Sequence, residues 1–137
     1  MISRVACKED GCLIVGIGLD IVEIDRFGEQ AHARLTERIL TPREREFLER
    51  CESPSRRQEF LAGRFAVKEA VAKAFGTGIG KQIGWQDIEV LPGETGNPTV
   101  VFATQVLERL GQTDIGVHVS ITHSRQFAAA QVIVERT

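Results

Sequence analysis

The sequence lacks the features that mark membrane, secreted and nucleic-acid-binding proteins. No apolar run approaches the roughly 20 residues that span a bilayer, and the first dozen residues lack the apolar middle of a signal peptide. The three cysteines, at irregular spacing, form neither a disulfide framework nor a zinc-ligand pattern. The formal net charge of −2 gives no overall field that would attract nucleic acid. We therefore expect a cytoplasmic protein with reduced thiols, whose partners are neither nucleic acid nor a membrane.

What is present suits one domain of ordinary size. The chain has 137 residues, of which 42% are hydrophobic and 26% charged, a balance typical of a globular protein that buries one core. Residues 1–12 form a polar lead-in, which we expect to be a loose or disordered tail. This tail would come from an upstream start codon or be an expression remnant. A single domain is predicted over residues 13–137.

The order of the predicted elements indicates an α+β fold, with a largely antiparallel sheet packed against a long helix. The aliphatic run 13–22 predicts a buried strand whose glycines mark close backbone approach. Thr41 can cap a helix that begins with a proline and has a glutamate three residues after the cap. The longest periodic segment predicts a helix over 56–75, ended by Gly76. The other predicted elements are a helix over 25–34 capped by Asp25, a helix over 104–110, and strands over 87–91, 99–102, 116–122 and 128–134.

Several charged residues stand in apolar or periodic surroundings. Asp20 interrupts an aliphatic strand, so it either needs a partner or a metal, or lies in solvent at the strand end. Glu69 and Lys73 are four residues apart on the long helix and form either an ordinary surface pair or part of a site. Arg64 and Lys68 lie within or at the edge of the apolar arc of that helix. They indicate either stems that reach out to water or an anionic partner on that side.

Two further features allow both a structural and a functional interpretation. The glycine-rich loop 76–81 follows a helix and does not open one, so it lacks the helix N-terminus on which a P-loop depends. His123 ends an apolar strand, from which an anchored imidazole can face a cleft. The sequence has neither a Gly-x-Ser-x-Gly elbow nor a cysteine–histidine arrangement, so covalent catalysis is not indicated.

Three segments taken together resemble, in order and spacing, the signature segments of the holo-acyl-carrier-protein synthases, the short group of 4′-phosphopantetheinyl transferases. They are GIGLDI at 16–21, FLAGRFAVKEA at 60–70 and SITH at 120–123. The stretches FGTGIG at 75–80 and QDIEV at 86–90 are also similar to that group. The resemblance implies the 4′-phosphopantetheinyl transferase fold. It also implies transfer of phosphopantetheine from coenzyme A to a serine of apo acyl carrier protein, in fatty acid biosynthesis.

The resemblance further implies a role for each matched position. Asp20 and Glu69 would bind Mg²⁺ together with the coenzyme A pyrophosphate, and Lys73 would reach a phosphate oxygen. Glu69, His123 or a metal-bound water would take the serine proton. The residues expected to line the coenzyme A site are Arg64, Lys73, Gly76, Thr77 and His123. The residues expected to meet the acidic helix of the carrier protein are Arg26 and Arg34.

Family members of this size are expected to be homotrimers, with sites built between neighbouring protomers. That arrangement would supply the room for coenzyme A that one small unit lacks. Two other hypotheses remain open. A nucleotide-binding regulatory module without catalysis would not need Asp20 and Glu69 together, and an oligomerisation domain would leave Arg64 and Lys68 unexplained. Magnesium-dependent turnover separates the enzyme from both.

Overall fold

The computed structural model describes residues 13–137, apart from the side chains of residues 30–32. The predicted tail over residues 1–12 lies outside the described residues. The helices within the described part are α1 (Glu29–Ile39), α2 (Pro42–Glu49), α3 (Pro54–Ala74) and α4 (Thr104–Arg109), with short 3₁₀ turns at Ile24–Phe27 and Trp85–Asp87. The strands are β1 (Ile14–Glu23), β2 (Ile88–Pro92), β3 (Pro98–Phe102), β4 (Ile115–His123) and β5 (Phe127–Arg136).

The strands pair antiparallel throughout the described residues. β5 lies between β1 and β4 in a three-stranded sheet, while β2 and β3 form a separate hairpin. The long helix α3 packs against the three-stranded sheet, and alanines and valines on its buried side form much of the core. The predicted α+β fold, with a largely antiparallel sheet against a long helix, is confirmed. Among the helices described, none has both the length and the apolar character that a transmembrane helix requires.

β1 approaches α3 more closely than ordinary side chains would allow. A Cβ atom on Gly16 would lie 1.7 Å from the carbonyl oxygen of Ala74, and one on Gly18 would lie 1.7 Å from that of Ala70. Only glycine fits at these two positions, because it has no Cβ. Alternate residues of a strand share a face, so Asp20 also faces the helix. The two glycines thus let β1 lie close enough to α3 for the Asp20 carboxylate to face the helix.

The opposite face of β1 is apolar and exposed. Ile17, Leu19 and Ile21 are 61%, 62% and 65% exposed. Phe127 of β5 lies on the same face, opposite Glu23 of β1, and is also exposed. We call this surface, formed by Ile17, Leu19, Ile21 and Phe127, the outer sheet face. Exposed apolar surface is common where a protein contacts another molecule.

Two predicted helix starts differ from the structure. Ile24–Phe27 forms a 3₁₀ turn anchored by its buried first and last residues. α1 begins only after Gly28, whose extended backbone interrupts the helical run, so Asp25 does not cap it. α3 begins at Pro54 and not at residue 56, because the Ser53 hydroxyl caps it by accepting a hydrogen bond from the Arg56 amide at 3.2 Å.

Candidate active site

Asp20 and Lys73 meet where β1 lies on α3. The Lys73 ammonium donates hydrogen bonds to the Asp20 carboxylate at 2.9 Å and to the Leu19 carbonyl oxygen at 3.0 Å. The Asp20 side chain is 14% exposed and the Lys73 side chain 49% exposed, so the pair stands at the rim of the core. The helical spacing alone indicated Glu69 as the neighbour of Lys73. The structure instead gives Lys73 a partner on β1, far away in sequence.

Glu69 lies in the electrostatic field of the same group. Burial raises the pKa of the Glu69 carboxyl and the negative charge of Asp20 raises it further, whereas Lys73 and Arg26 lower it. Two carboxylates that lie close together and are partly removed from water repel one another. A cation between them reduces this repulsion. Among the side chains that the structure describes, His, Cys, Asp and Glu form no cluster of three or more. The pair Asp20 and Glu69 fits Mg²⁺, because this ion binds one or two carboxylates and completes its shell with phosphate and water.

Gly76 and Thr77 close the C-terminal end of α3, next to Lys73. Gly76 has a φ of +75°, which favours glycine, and its amide donates to the Lys73 carbonyl oxygen at 2.9 Å. The Thr77 hydroxyl donates to the carbonyl oxygen of Gly78 at 2.9 Å. The prediction that Gly76 ends the helix is confirmed. Lys73, Gly76 and Thr77 therefore share one end of α3. We call these three residues, with Asp20 and Glu69, the carboxylate group.

Arg64 and His123 line a separate cavity of about 400 Å³, bounded by α3, the β2–β3 loop and the end of β4. The Arg64 guanidinium lies 4.0 Å from the centroid of the Phe60 ring. Its Nε atom is buried and has no hydrogen-bond partner among the described residues. Burial lowers the pKa of Arg64, and the nearby Glu44 carboxylate opposes this shift. A partly desolvated cation with a spare donor suits an anionic ligand such as a phosphate.

One chain does not bring the predicted site residues together. None of the residues of the carboxylate group lines the cavity. Arg64 precedes Glu69 by five residues, which turns its side chain about 140° round the helix axis. Arg56 also lines the cavity. Sequence reasoning assigned it no role, because an arginine near the start of a helix does not by itself indicate a binding site. We call Arg56, Arg64 and His123 the arginine cavity. The residues predicted to bind the metal and coenzyme A thus fall into two separate groups, which we call the part-sites.

Arg26 and Arg34, the predicted contacts of the carrier protein, are both exposed. Arg26 lies on the 3₁₀ turn that follows β1, with its guanidinium carbon 5.6 Å from the centroid of the Phe65 ring. Its charge reaches Glu69, whose pKa it lowers. Arg34 lies on α1. Of the two, Arg26 is the one that the structure places beside the carboxylate group.

Lys68, the other cation in the apolar arc of α3, does not face a ligand. Its side chain is fully buried and forms an ion pair with Glu44 at 2.6 Å. Sequence reasoning missed this partner. Glu44 belongs to the capping box of α2, and the same carboxylate accepts a hydrogen bond from the Thr41 amide at 2.8 Å. A lysine in an apolar arc and a glutamate in a capping box were both visible in the sequence, but nothing there joined them.

The chain is similar to known proteins over most of its length. Residues 16–132 match the 4′-phosphopantetheinyl transferase superfamily. Holo-[acyl-carrier-protein] synthase of Geobacillus kaustophilus is 50% identical over 127 residues, which cover 90% of this chain and 91% of that protein. The synthase of Bacillus subtilis is 49% identical over 126 residues, which cover 90% and 98%. The crystal structure of a Bacillus anthracis holo-(acyl-carrier-protein) synthase in complex with CoA (3′,5′-ADP) has 45% sequence identity and a TM-score of 0.79, covering 91% of this chain and 99% of that one. The chain therefore belongs to the 4′-phosphopantetheinyl transferase superfamily and, within it, to the holo-acyl-carrier-protein synthases.

Proposed function

We propose that this chain transfers 4′-phosphopantetheine from coenzyme A to a serine of apo acyl carrier protein, with Mg²⁺ held by Asp20 and Glu69. The observation that carries the proposal is the convergence of two carboxylates and Lys73 where β1 meets α3. The products are holo acyl carrier protein and adenosine 3′,5′-bisphosphate, and the holo carrier serves fatty acid biosynthesis. We expect the reaction to take place in the cytoplasm.

The reaction is a displacement at the phosphorus that carries the pantetheine arm. The serine O–H bond breaks, a bond forms from the serine oxygen to that phosphorus, and the bridging oxygen of the pyrophosphate leaves with adenosine 3′,5′-bisphosphate. Mg²⁺, when bound, neutralises charge on the pyrophosphate. Lys73 adds a compact positive charge for a phosphate oxygen. Glu69 and His123 are the candidates for taking the serine proton.

Coenzyme A carries phosphates that match both part-sites. Lys73, Gly76 and Thr77 stand beside the carboxylates, where the pyrophosphate would bind. The arginine cavity offers the side chains of Arg56, Arg64 and His123 to a further phosphate. The crystal structure of the Bacillus anthracis relative, which contains CoA (3′,5′-ADP), supports coenzyme A as the ligand of this family.

We infer that a second copy of the chain completes each site, in a homotrimer. The separation of the carboxylate group from the arginine cavity supports this, because one chain presents the two to different sides. The outer sheet face supports it as well, since its exposed apolar residues Leu19 and Ile21 flank Asp20 along β1. A neighbour that covered this face would remove these apolar side chains from water.

Carrier-protein binding is assigned to Arg26 and Arg34. The chain is slightly acidic overall, so attraction to an acidic carrier needs a local basic surface. The exposed position of Arg26 beside Glu69 would bring the attacking serine to the phosphates.

Intact-protein mass spectrometry tests the reaction directly. Apo acyl carrier protein is incubated with the chain, coenzyme A and Mg²⁺, with and without EDTA, and with the Asp20→Ala variant as the inactive control. We expect a mass gain of one phosphopantetheine, lost with EDTA and with the variant. No gain on any of several carrier proteins, from a folded sample, would favour a nucleotide-binding module without catalysis.

A further inference from the structure

Gln86, in the QDIEV segment that the transfer site does not use, binds the end of α1. Its side-chain Nε2 donates to the carbonyl oxygens of Glu37, Arg38 and Leu40, at 3.1, 3.3 and 2.7 Å. The last carbonyl groups of a helix have no partner inside the helix. A side chain from a distant segment therefore caps the C-terminal end of α1.

The same end of α1 is held from the core by Lys68 of α3. The Lys68 ammonium donates to the Ile39 carbonyl oxygen, to the Trp85 carbonyl oxygen at 3.0 Å and to the Glu44 carboxylate at 2.6 Å. The other oxygen of Glu44 accepts a hydrogen bond from the Val90 amide at 2.8 Å. A buried ion pair with all of these bonds made fixes one arrangement of its surroundings. α1 is thus attached to α3 and to the segment that carries Gln86 through its last residues.

The beginning of α1 has no comparable attachment through its N-cap. The N-cap residue is Gly28, which has no side chain with which to cap the first turn. Ile39 and Leu40 at the other end are fully buried, whereas Arg34 is exposed. The direction in which α1 presents Arg34 therefore depends in part on how its C-terminal end is held.

We propose that Gln86 is a positioning residue for carrier-protein binding, which acts by holding the last turn of α1 and so orients Arg34. This inference rests on the proposed function, in which Arg34 meets the carrier protein. Gln86 itself is exposed and lines no part of the arginine cavity. We therefore expect Gln86 to affect the binding of the carrier protein and not the binding of coenzyme A.

Two substitutions separate the hydrogen bonds from the bulk of the side chain. Gln86→Met keeps an unbranched stem but removes the donor, and Gln86→Glu keeps the shape but places a carboxylate against three carbonyl oxygens. We expect each to raise the KM for apo acyl carrier protein on the order of fivefold or more, with the larger rise for Gln86→Glu. The KM for coenzyme A and kcat should stay within about twofold of the wild type. Gln105→Met, at an exposed position of α4, is the matched control and should leave all three unchanged.

Hydrogen exchange gives a readout that does not depend on activity. The Leu40 amide donates to the Thr36 carbonyl oxygen at 3.0 Å, across the end of α1. Exchange at this amide should be faster in both Gln86 variants and unchanged in Gln105→Met. An unchanged KM for the carrier protein, or an equal rise in the KM for both substrates, overturns the inference.

Arg34→Glu distinguishes a failure of the inference from a failure of the proposed function. If Arg34→Glu raises the KM for the carrier protein and the Gln86 variants do not, only the positioning role of Gln86 is wrong. If neither substitution changes the KM for the carrier protein, the proposed contact between α1 and the carrier protein is wrong. The positioning role of Gln86 is then wrong as well.

Discussion

At the scale of single residues, Glu69 is the position where stability and the proposed catalytic role make opposite demands. Burial, and then the charge of Asp20, raise its pKa above the ordinary value of 4.5. A raised pKa means that the folded chain prefers the protonated carboxyl. Glu69 therefore contributes stability below pH 4.5, and this contribution is lost as the pH rises through its folded pKa. In the metal-free chain, folding therefore disfavours the ionised form of Glu69.

The substitution Glu69→Gln should consequently stabilise the metal-free chain while it abolishes turnover. In EDTA at neutral pH we expect the midpoint of thermal unfolding to rise by about 1–2 °C, with a smaller difference in acid, where Glu69 is protonated. Mg²⁺ with coenzyme A should raise the midpoint of the wild type and not that of the variant. Scanning calorimetry measures all of these values. A midpoint in EDTA below that of the wild type would contradict the electrostatic account.

At the scale of secondary-structure elements, the contact between β1 and α3 aligns the carboxylate group. Gly18→Ala would place a Cβ atom 1.7 Å from the Ala70 carbonyl oxygen, so strand and helix must separate. We expect a loss of about 1–3 kcal/mol in the free energy of unfolding and a larger relative fall in kcat/KM, because Asp20 moves away from Glu69. Urea unfolding and steady-state kinetics measure the two effects.

Gly80→Ala is the control for this substitution. A Cβ atom on Gly80 would have no neighbour within 4 Å. The free energy of unfolding and kcat/KM should therefore both stay near those of the wild type. Wild-type activity in Gly18→Ala would show that close contact between β1 and α3 is not needed for the site.

The elements that were predicted correctly have local signals. The capping box of Thr41 and Glu44 and the stop at Gly76 depend on residues within one turn of each other, and both are confirmed. The start of α1 was predicted wrongly. Its position depends on Phe27, which the tertiary fold buries, and on the extended backbone of Gly28. Gly28 is itself a weak signal against a continuous helix, but no pattern within the segment reports the burial of Phe27.

The candidate site shows the same difference between local sequence signals and contacts that the tertiary fold creates. The helical period placed Glu69 and Lys73 side by side on one helix, but it could not show that Lys73 binds Asp20, 53 residues earlier. It placed Lys68 in an apolar arc without revealing Glu44, 24 residues earlier, as its partner. These partners are set by how β1 and α2 lie on α3. That packing follows from close contacts between distant residues and not from periodicity.

At the scale of the whole molecule, the two part-sites allow a complementation test. Asp20→Ala damages the carboxylate group and His123→Ala damages the arginine cavity, so each variant alone should have little or no activity. When the two chains are co-expressed and assemble at random, a site shared between neighbours finds both intact halves in about one quarter of cases. We expect about one quarter of wild-type turnover from the mixture.

A charge on the outer sheet face provides the control for this experiment. Leu19→Arg, introduced into both chains, should reduce the assembly measured by sedimentation and the regained activity together, because Leu19 is 62% exposed in one chain and apolar. If the two variant chains still assemble but their mixture regains no activity, each complete site lies within one chain.

Separate part-sites also have a genetic consequence. In a ring of identical subunits, each chain would lend its carboxylates to one site and its arginines to another. A single defective copy would therefore disable two sites and not one. An allele that destroys Asp20 and His123 together, but leaves the outer sheet face intact, should interfere with the normal protein when both are expressed in the same cell.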